Sequence, residues 1–178
     1  MKKSDVSPLP QYYDRYINLV PDRELAEVFD DSLRQLSSLD RDVLERLGDK
    51  TYAPGKWTVK DIIQHLIDGE RIMCYRALLF ARRDGTIPPG FDQELLATNA
   101  NAERRTTNAL IDELLNVRRS TIDLFDSFDD QMLQAKGTSW EHQISVLHLG
   151  FTIVGHQIHH LNVIAERYST LERAAPTG

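Results

Sequence analysis

Apolar residues that recur at steps of three and four in four separate segments confine this chain to a helical fold. In "DRELAEVFDDSLRQLSSLDRDVLERLG" the stripe is Leu25, Val28, Phe29, Leu33, Leu36, Leu39, Val43, Leu44 and Leu47, ending at Gly48. It predicts one amphipathic helix, or a helix broken near Ser37 and Ser38. "TVKD" reads as a capping box, with Thr58 as N-cap and Asp61 reaching back from the third helical position. It opens a second helix from Val59 to about Arg83. "NALIDELLNVRRSTIDLFDSFDD" supplies the third, and Ser145 is expected to cap the fourth, which runs to about Tyr168. No segment sustains the alternation of a strand. The expectation is an all-α four-helix bundle. With 178 residues, 41% of them hydrophobic, the chain can bury one full core. The expected division is an N-terminal arm at 1–20, the bundle at 21–168 and a C-terminal tail at 169–178.

The connections are unequal. "DKTYAPGKW" has the Pro-Gly punctuation of a turn, and "AKGTSWEHQ" reads as a polar loop. "DGTIPPGFDQELLATNANAERRTT" predicts a long loop between the second and third helices, of the kind that covers a site or drapes the end of a bundle.

Charge and cysteine content exclude several functions. A net charge of -6 argues against a nucleic-acid partner, whose phosphates demand a Lys/Arg excess. The densest basic stretches, "ERRTTN" and the Arg118-Arg119 pair, read as solvated helix faces. No apolar run approaches the roughly 18 residues of a membrane span, and "MKKSDVSPLPQYYDRY" lacks the apolar core of a secretory signal. With Cys74 as the one cysteine, no intramolecular disulfide forms. A cytoplasmic protein is expected, with Cys74 a small buried hydrophobe in "RIMCYRALLF". Trp57 and Tyr75 read as core or cap-packing aromatics.

Chemistry concentrates in "GHQIHHLNVIAERY", where three of the six histidines fall within five residues of an apolar helix. His156 and His160 stand one turn apart, about 40° around the axis, and can grip one cation. His156 and His159 form a rival pair, about 60° apart, and spacing alone leaves the choice open. Gln157 occupies the place where a metalloprotease helix carries its glutamate base, which argues against that class. Glu-x-x-His, the signature of di-iron bundles, occurs nowhere. A third ligand must come from another element. His65 is the best candidate, lying mid-helix among Ile62, Ile63, Leu66 and Ile67, whereas His148 is about 80° away from His156 and His142 falls in a loop. Such an imidazole-rich set suits zinc, nickel, copper or iron(II). Arg76 shares the helix face of His65 but stands about 16 Å further along it. It is positioned for an anionic substrate group or for an acid partner.

These residues carry a family resemblance. "GKWTVKDIIQHLIDGERIMCYRALLFARRDG", then "LLNVRRSTIDLFDSF", then "GHQIHHLNVIAERY" together resemble the DinB/YfiT-like superfamily, in particular through the Trp57 to His65 spacing and the late H-x-x-x-H. The resemblance spans Leu25 to Tyr168. It implies a bundle of up-down-down-up topology, a homodimer, and a divalent metal, zinc or nickel before iron or copper, held by His65, His156 and His160. His159 and Arg76 are then left as candidates to support the ligands or meet substrate. The family includes proteins resembling S-transferases that use low-molecular-weight thiols, and others resembling metal-dependent isomerases or hydrolases. The expected function is therefore a metal-dependent transferase or hydrolase of a small molecule, its metal acidifying a water or stabilising a thiolate. No general base stands out; Asp68, Glu70, Asp92, Glu94 and His159 are the candidates. The competing expectation is a non-catalytic dimeric helical binding or stress protein with a structural metal or none.

Overall fold

Three of the four long helices begin where side chains satisfy the free amides of a first turn. In the computed structural model, which describes residues 1–168 and 170–171, Thr58 and Asp61 exchange hydrogen bonds as a capping box at the head of α4 (Val59–Ala81), and Ser145 caps α8 (Val146–Val163). Thr106 caps α6 (Thr107–Asp126) by accepting from the Ala109 amide. The first apolar stripe does break after Ser37. It forms α2 (Leu25–Ser37) and α3 (Arg41–Leu47), the latter restarted by Asp40, whose carboxylate accepts from the Val43 amide. Shorter helices are α1 (Asp14–Ile17), α5 (Gln93–Ala100) and α7 (Asp130–Gln134). Beyond α8 the chain widens into a π turn, Ile164–Tyr168, which carries Ile164 and Tyr168 inward.

α2 and α4 each pack against both α6 and α8, so the four long elements close a ring. Its interior holds two apolar clusters. One includes Phe29, Met73, Phe125 and Val154; the other includes Leu36, Ile67, Leu115 and Ile164. Between them lies a polar layer with one residue from each helix. Arg118 of α6 donates to both carboxylate oxygens of Glu70 on α4 at 2.8 Å, to Gln157 of α8 at 2.7 Å, and to Ser32 of α2. Gln157 donates in turn to the Ser32 carbonyl at 3.2 Å and to Gln35 at 2.9 Å. Arg118 is 1% exposed. This corrects its reading as part of a solvated face: a guanidinium with five donors can be buried when each helix offers it an acceptor. Arg119, its neighbour, does stay outside.

Other departures from expectation follow from packing. A two-stranded antiparallel hairpin, β1 (Lys136–Ser139) and β2 (His142–Ser145), corrects the all-α reading. Its strands are four residues long, too short for an alternation to register. The stretch between α4 and α6, expected as a loop, contains α5 and a 3-10 turn at Ala102–Arg104; Asp92 starts α5 by accepting from the amides of Glu94 and Leu95. The segment expected as an irregular arm folds onto α8 and buries Val6, Tyr13, Ile17 and Val20. α8 is buried almost all round from Val146 to Gln157, and a helix of that kind needs cover on its outer side. The close approach depends on Gly155, where a Cβ would stand 2.1 Å from the Tyr16 carbonyl oxygen. Of the tail at 169–178, only Thr170 and Leu171 are among the described residues. Tyr75, expected as a core or cap-packing aromatic, is half exposed.

Candidate metal centre

His65 projects from the middle of α4 toward α8, because the remainder of that turn, Ile62, Ile63, Leu66 and Ile67, is committed to the core. His156 and His160 meet it from successive turns of α8. The Nε2 atoms of His65 and His156 are 3.0 Å apart, and those of His156 and His160 3.1 Å. Ligand atoms of all three residues lie within 4.8 Å of one another. Two imidazole nitrogens on one tetrahedral zinc ion are about 3.3 Å apart, from Zn–N bonds of about 2.0–2.1 Å. The cluster therefore has the dimensions of a metal site.

Its protonation state agrees. Burial pushes the His65 imidazole down to about 4, helped by His159 nearby, and that of His160 to about 3, helped by His65 and His159. His156, enclosed between the other two, is held well below the ordinary histidine range by burial and by the neighbouring imidazoles. Neutral rings are the form in which imidazoles coordinate a metal, and the two Nε2 contacts are also the lengths of imidazole–imidazole hydrogen bonds. The fit is specific in its donors: among the described residues no other His, Cys, Asp or Glu joins the group. Nδ1 of His160 is buried without a partner, so its ring is fixed by packing rather than by an acceptor behind it. Trp57 supplies that packing, with its ring centroid 4.8 Å from His65 and stacked at 6.4 Å on His160. The Trp57 carbonyl is held by the Tyr168 hydroxyl, which pins the π turn over this end of the cluster.

His159 turns aside, half-buried, with its ring 5.6 Å from that of Tyr16. Tyr16 also packs edge-on against His156 at 5.1 Å. It is a residue of the site that sequence reasoning missed: Tyr12, Tyr13 and Tyr16 do stand at helical steps, but in a stretch of six residues beside two prolines that reads as an arm. His142 lies in β2 beside Tyr13, and His148 belongs to the start of α8, where Nδ1 meets the Ser145 hydroxyl at 2.6 Å. Neither approaches the cluster.

His65 and His156 line a cleft of about 430 Å³ bounded by α4, α8, α1, the hairpin turn and the start of α5 with the residues before it. His65, Gly69, Met73 and Arg76 form one stripe of α4 along it. Gly69 keeps the floor low, since a Cβ there would reach to 3.4 Å from His156. A smaller cleft of about 220 Å³ touches His160 from the other side, between Trp57 and Glu94. Each acid proposed as a base has a hydrogen-bond partner, and of them Glu94 alone stands at a cleft that touches the cluster. Glu70 holds Arg118, Asp68 accepts from Gln64 at 2.9 Å, Glu94 accepts from the Trp57 indole at 3.1 Å, and Asp92 caps α5. Gln157, which replaces the protease base, serves the polar layer instead.

Comparisons with known proteins bear on the family and the fold. The sequence model of the DinB superfamily matches residues 12–164. No curated protein matches in sequence. Among solved structures, YfiT from Bacillus subtilis shares the fold with a TM-score of 0.69 over 93% of this chain and 91% of its own, at 18% identity. YfiT is described as "a probable metal-dependent hydrolase with an unusual four-helix bundle topology". No helix of the described residues is long and apolar enough to cross a membrane.

Proposed function

The chain belongs to the DinB superfamily, and from that membership and the open side of its histidine cluster we propose that it is a metal-dependent enzyme acting on a small molecule. His65, His156 and His160 hold a divalent transition metal, zinc or nickel before iron or copper, which all-nitrogen donor sets accept. The observation that carries this reading is the three-ligand set opening on a cleft. A structural ion is closed by four protein ligands, whereas a catalytic one keeps a position free. When bound, such an ion supplies Lewis acidity toward the reacting group.

Between the two reactions, transfer of a low-molecular-weight thiol to an electrophile needs less from the protein. A thiol loses its proton far more readily than water does, and among the described residues no Asp or Glu lines the cleft that His65 and His156 share. Hydrolysis is the second reading, favoured by the description of YfiT. In either case Trp57 and Tyr16 hold the imidazoles in place, and the cleft walls exclude bulk water from them. An up-down-down-up bundle fits the order in which the apolar clusters are met: α2 and α8 run from the Phe29 cluster to the Leu36 cluster, α4 and α6 the opposite way. A cytoplasmic homodimer is the expected assembly, which light scattering measures.

The test is elemental analysis of protein purified under metal-replete conditions, together with His160→Ala. One equivalent of metal, lost in the variant along with turnover of thiol and electrophile pairs or of simple esters and amides, supports the proposal. Absence of metal in the wild-type protein sinks it. Metal whose removal lowers the melting temperature while no turnover is found favours a non-catalytic protein with a structural ion.

A further inference from the structure

The far end of the same cleft holds a buried cation with no counter-charge. Arg76 is 7% exposed. Its guanidinium donates one hydrogen bond, to the Pro89 carbonyl at 3.2 Å, and lies 5.6 Å from the centre of the Phe91 ring. Nε has no partner at all. No carboxylate pairs with Arg76 among the described residues, although the chain carries a net charge of -6 and most of its other buried or half-buried cations have found acids. Nor does any Asp or Glu line the cleft, whose second cation is Arg15 at the rim. A buried guanidinium is expensive to desolvate and regains that cost when an anion matches its planar donors. The acid-partner alternative for Arg76 is thus absent, and the stripe from His65 past Gly69 and Met73 leads from three nitrogen donors, over an apolar floor, to a cation with donors to spare.

We propose that Arg76 is the specificity-determining residue of this cleft and that the molecule it admits carries a carboxylate, with an apolar body lying over Met73 and its reactive end toward the histidines. The mouth suits such a body. Tyr12 and Trp140 stand edge to face at 5.7 Å, both on residues of positive φ, 76° and 57°. Left-handed backbone at two bulky aromatics is uncommon and is kept where the surroundings hold it. Here it brings both rings to the entrance, opposite Phe91.

The inference rests on the reading of the cleft as a substrate site, and its test does not need turnover. Full-length protein is titrated with 3-phenylpropanoate and with 3-phenylpropanamide, as purified and after chelation, while amide NMR signals of Gly69 and Gly90, both in the cleft, are followed. The wild-type protein is expected to bind the acid at least about tenfold more tightly than the amide, the scale of charge-assisted hydrogen bonds. Arg76→Met should abolish that preference with amide affinity and metal content unchanged, and Arg76→Lys should keep part of it. Equal affinities in the wild-type protein overturn the proposal, and this comparison stands even if a variant fails to fold. So does a preference that survives in Arg76→Met, or one removed by chelation, which would place the carboxylate on the ion. Protein that holds no metal as purified under metal-replete conditions, yet prefers the acid through Arg76, would sink the metal reading and leave this one standing.

Discussion

Substituting alanine for Gly155 tests how the N-terminal segment is held, and the sign of its effect is not the one that helix propensity gives. In a free helix, Gly→Ala stabilises by about 1 kcal/mol. At Gly155 the new Cβ would lie 2.1 Å from the Tyr16 carbonyl oxygen and 2.4 Å from its carbon, more than an ångström inside ordinary contact. The obstacle is backbone, so no rotamer change relieves it. α1 must withdraw from α8, loosening Tyr13, Ile17 and Val20, which are 5%, 0% and 1% exposed. Overpacking of this kind costs about 1–3 kcal/mol, and more where main chain is displaced. Set against the propensity gain, the net expectation is a loss of about 2 kcal/mol, or about 4–8 °C in Tm for a chain of this size. Gly69→Ala is the internal control. Its Cβ meets nothing closer than 3.4 Å, so the protein should be unchanged or stabilised by up to about 1 kcal/mol. Urea unfolding of both variants, with limited proteolysis at Arg15 to report release of α1, makes the comparison. A Gly155→Ala protein as stable as wild type, with its N-terminal segment equally protected, would refute the close packing of α1 on α8.

Other outcomes follow from the polar layer, the caps and the thiol. Replacing Glu70 by leucine or Arg118 by methionine singly should cost about 3–5 kcal/mol, because each leaves a buried charge unpaired, while the double replacement recovers most of it; equilibrium unfolding of the set measures the coupling. Asp61→Ala, which removes half of the box at the head of α4, should cost about 1 kcal/mol in the same assay. Burial pushes the Cys74 thiol up to about 11, its hydrogen bond to Thr121 notwithstanding. Alkylation of the native protein by iodoacetamide should therefore be slow at pH 8 and rise toward pH 11. Between the ordinary thiol range and about 11 the folded protein keeps a proton that the unfolded chain has lost, so this group's contribution to stability falls as pH rises through that window.

What the sequence made legible was whatever is written locally. Thr58 with Asp61, the serine at the head of α8 and the i, i+4 pair His156 and His160 depend on residues a turn apart, and spacing reveals them. His65 was found through its incongruity, an imidazole amid four aliphatic residues. The hairpin and the role of α1 were hidden because each is fixed by what it leans on, Gly137 beneath Phe80 and Tyr16 against Gly155, whereas α5 has a local start signal in Asp92 that was passed over in a stretch rich in Gly, Pro, Asn and Thr. Arg118 was misread for the same reason. Nothing beside it in "NVRRST" distinguishes it from Arg119, and only the arrival of Glu70, Gln157 and Ser32 from three other helices makes its burial affordable.

That four-way junction also sets a datum for the cluster of histidines. A nitrogen ligand must be placed to within about 0.2 Å for a metal to bind, and aliphatic side chains alone allow a helix to shift and repack at little cost. A guanidinium gripping Glu70 on α4 and Gln157 on α8 does not: moving either helix by one turn, about 5.4 Å, would carry a carboxylate or an amide into one of the two apolar clusters. Glu70 is five residues from His65, and Gln157 adjoins His156. The distances on which coordination depends are thus measured from the junction rather than from the core. A chain in which the layer is made wholly apolar is expected to fold as firmly as this one and, if the histidines are the metal site proposed above, to bind an added divalent metal less tightly.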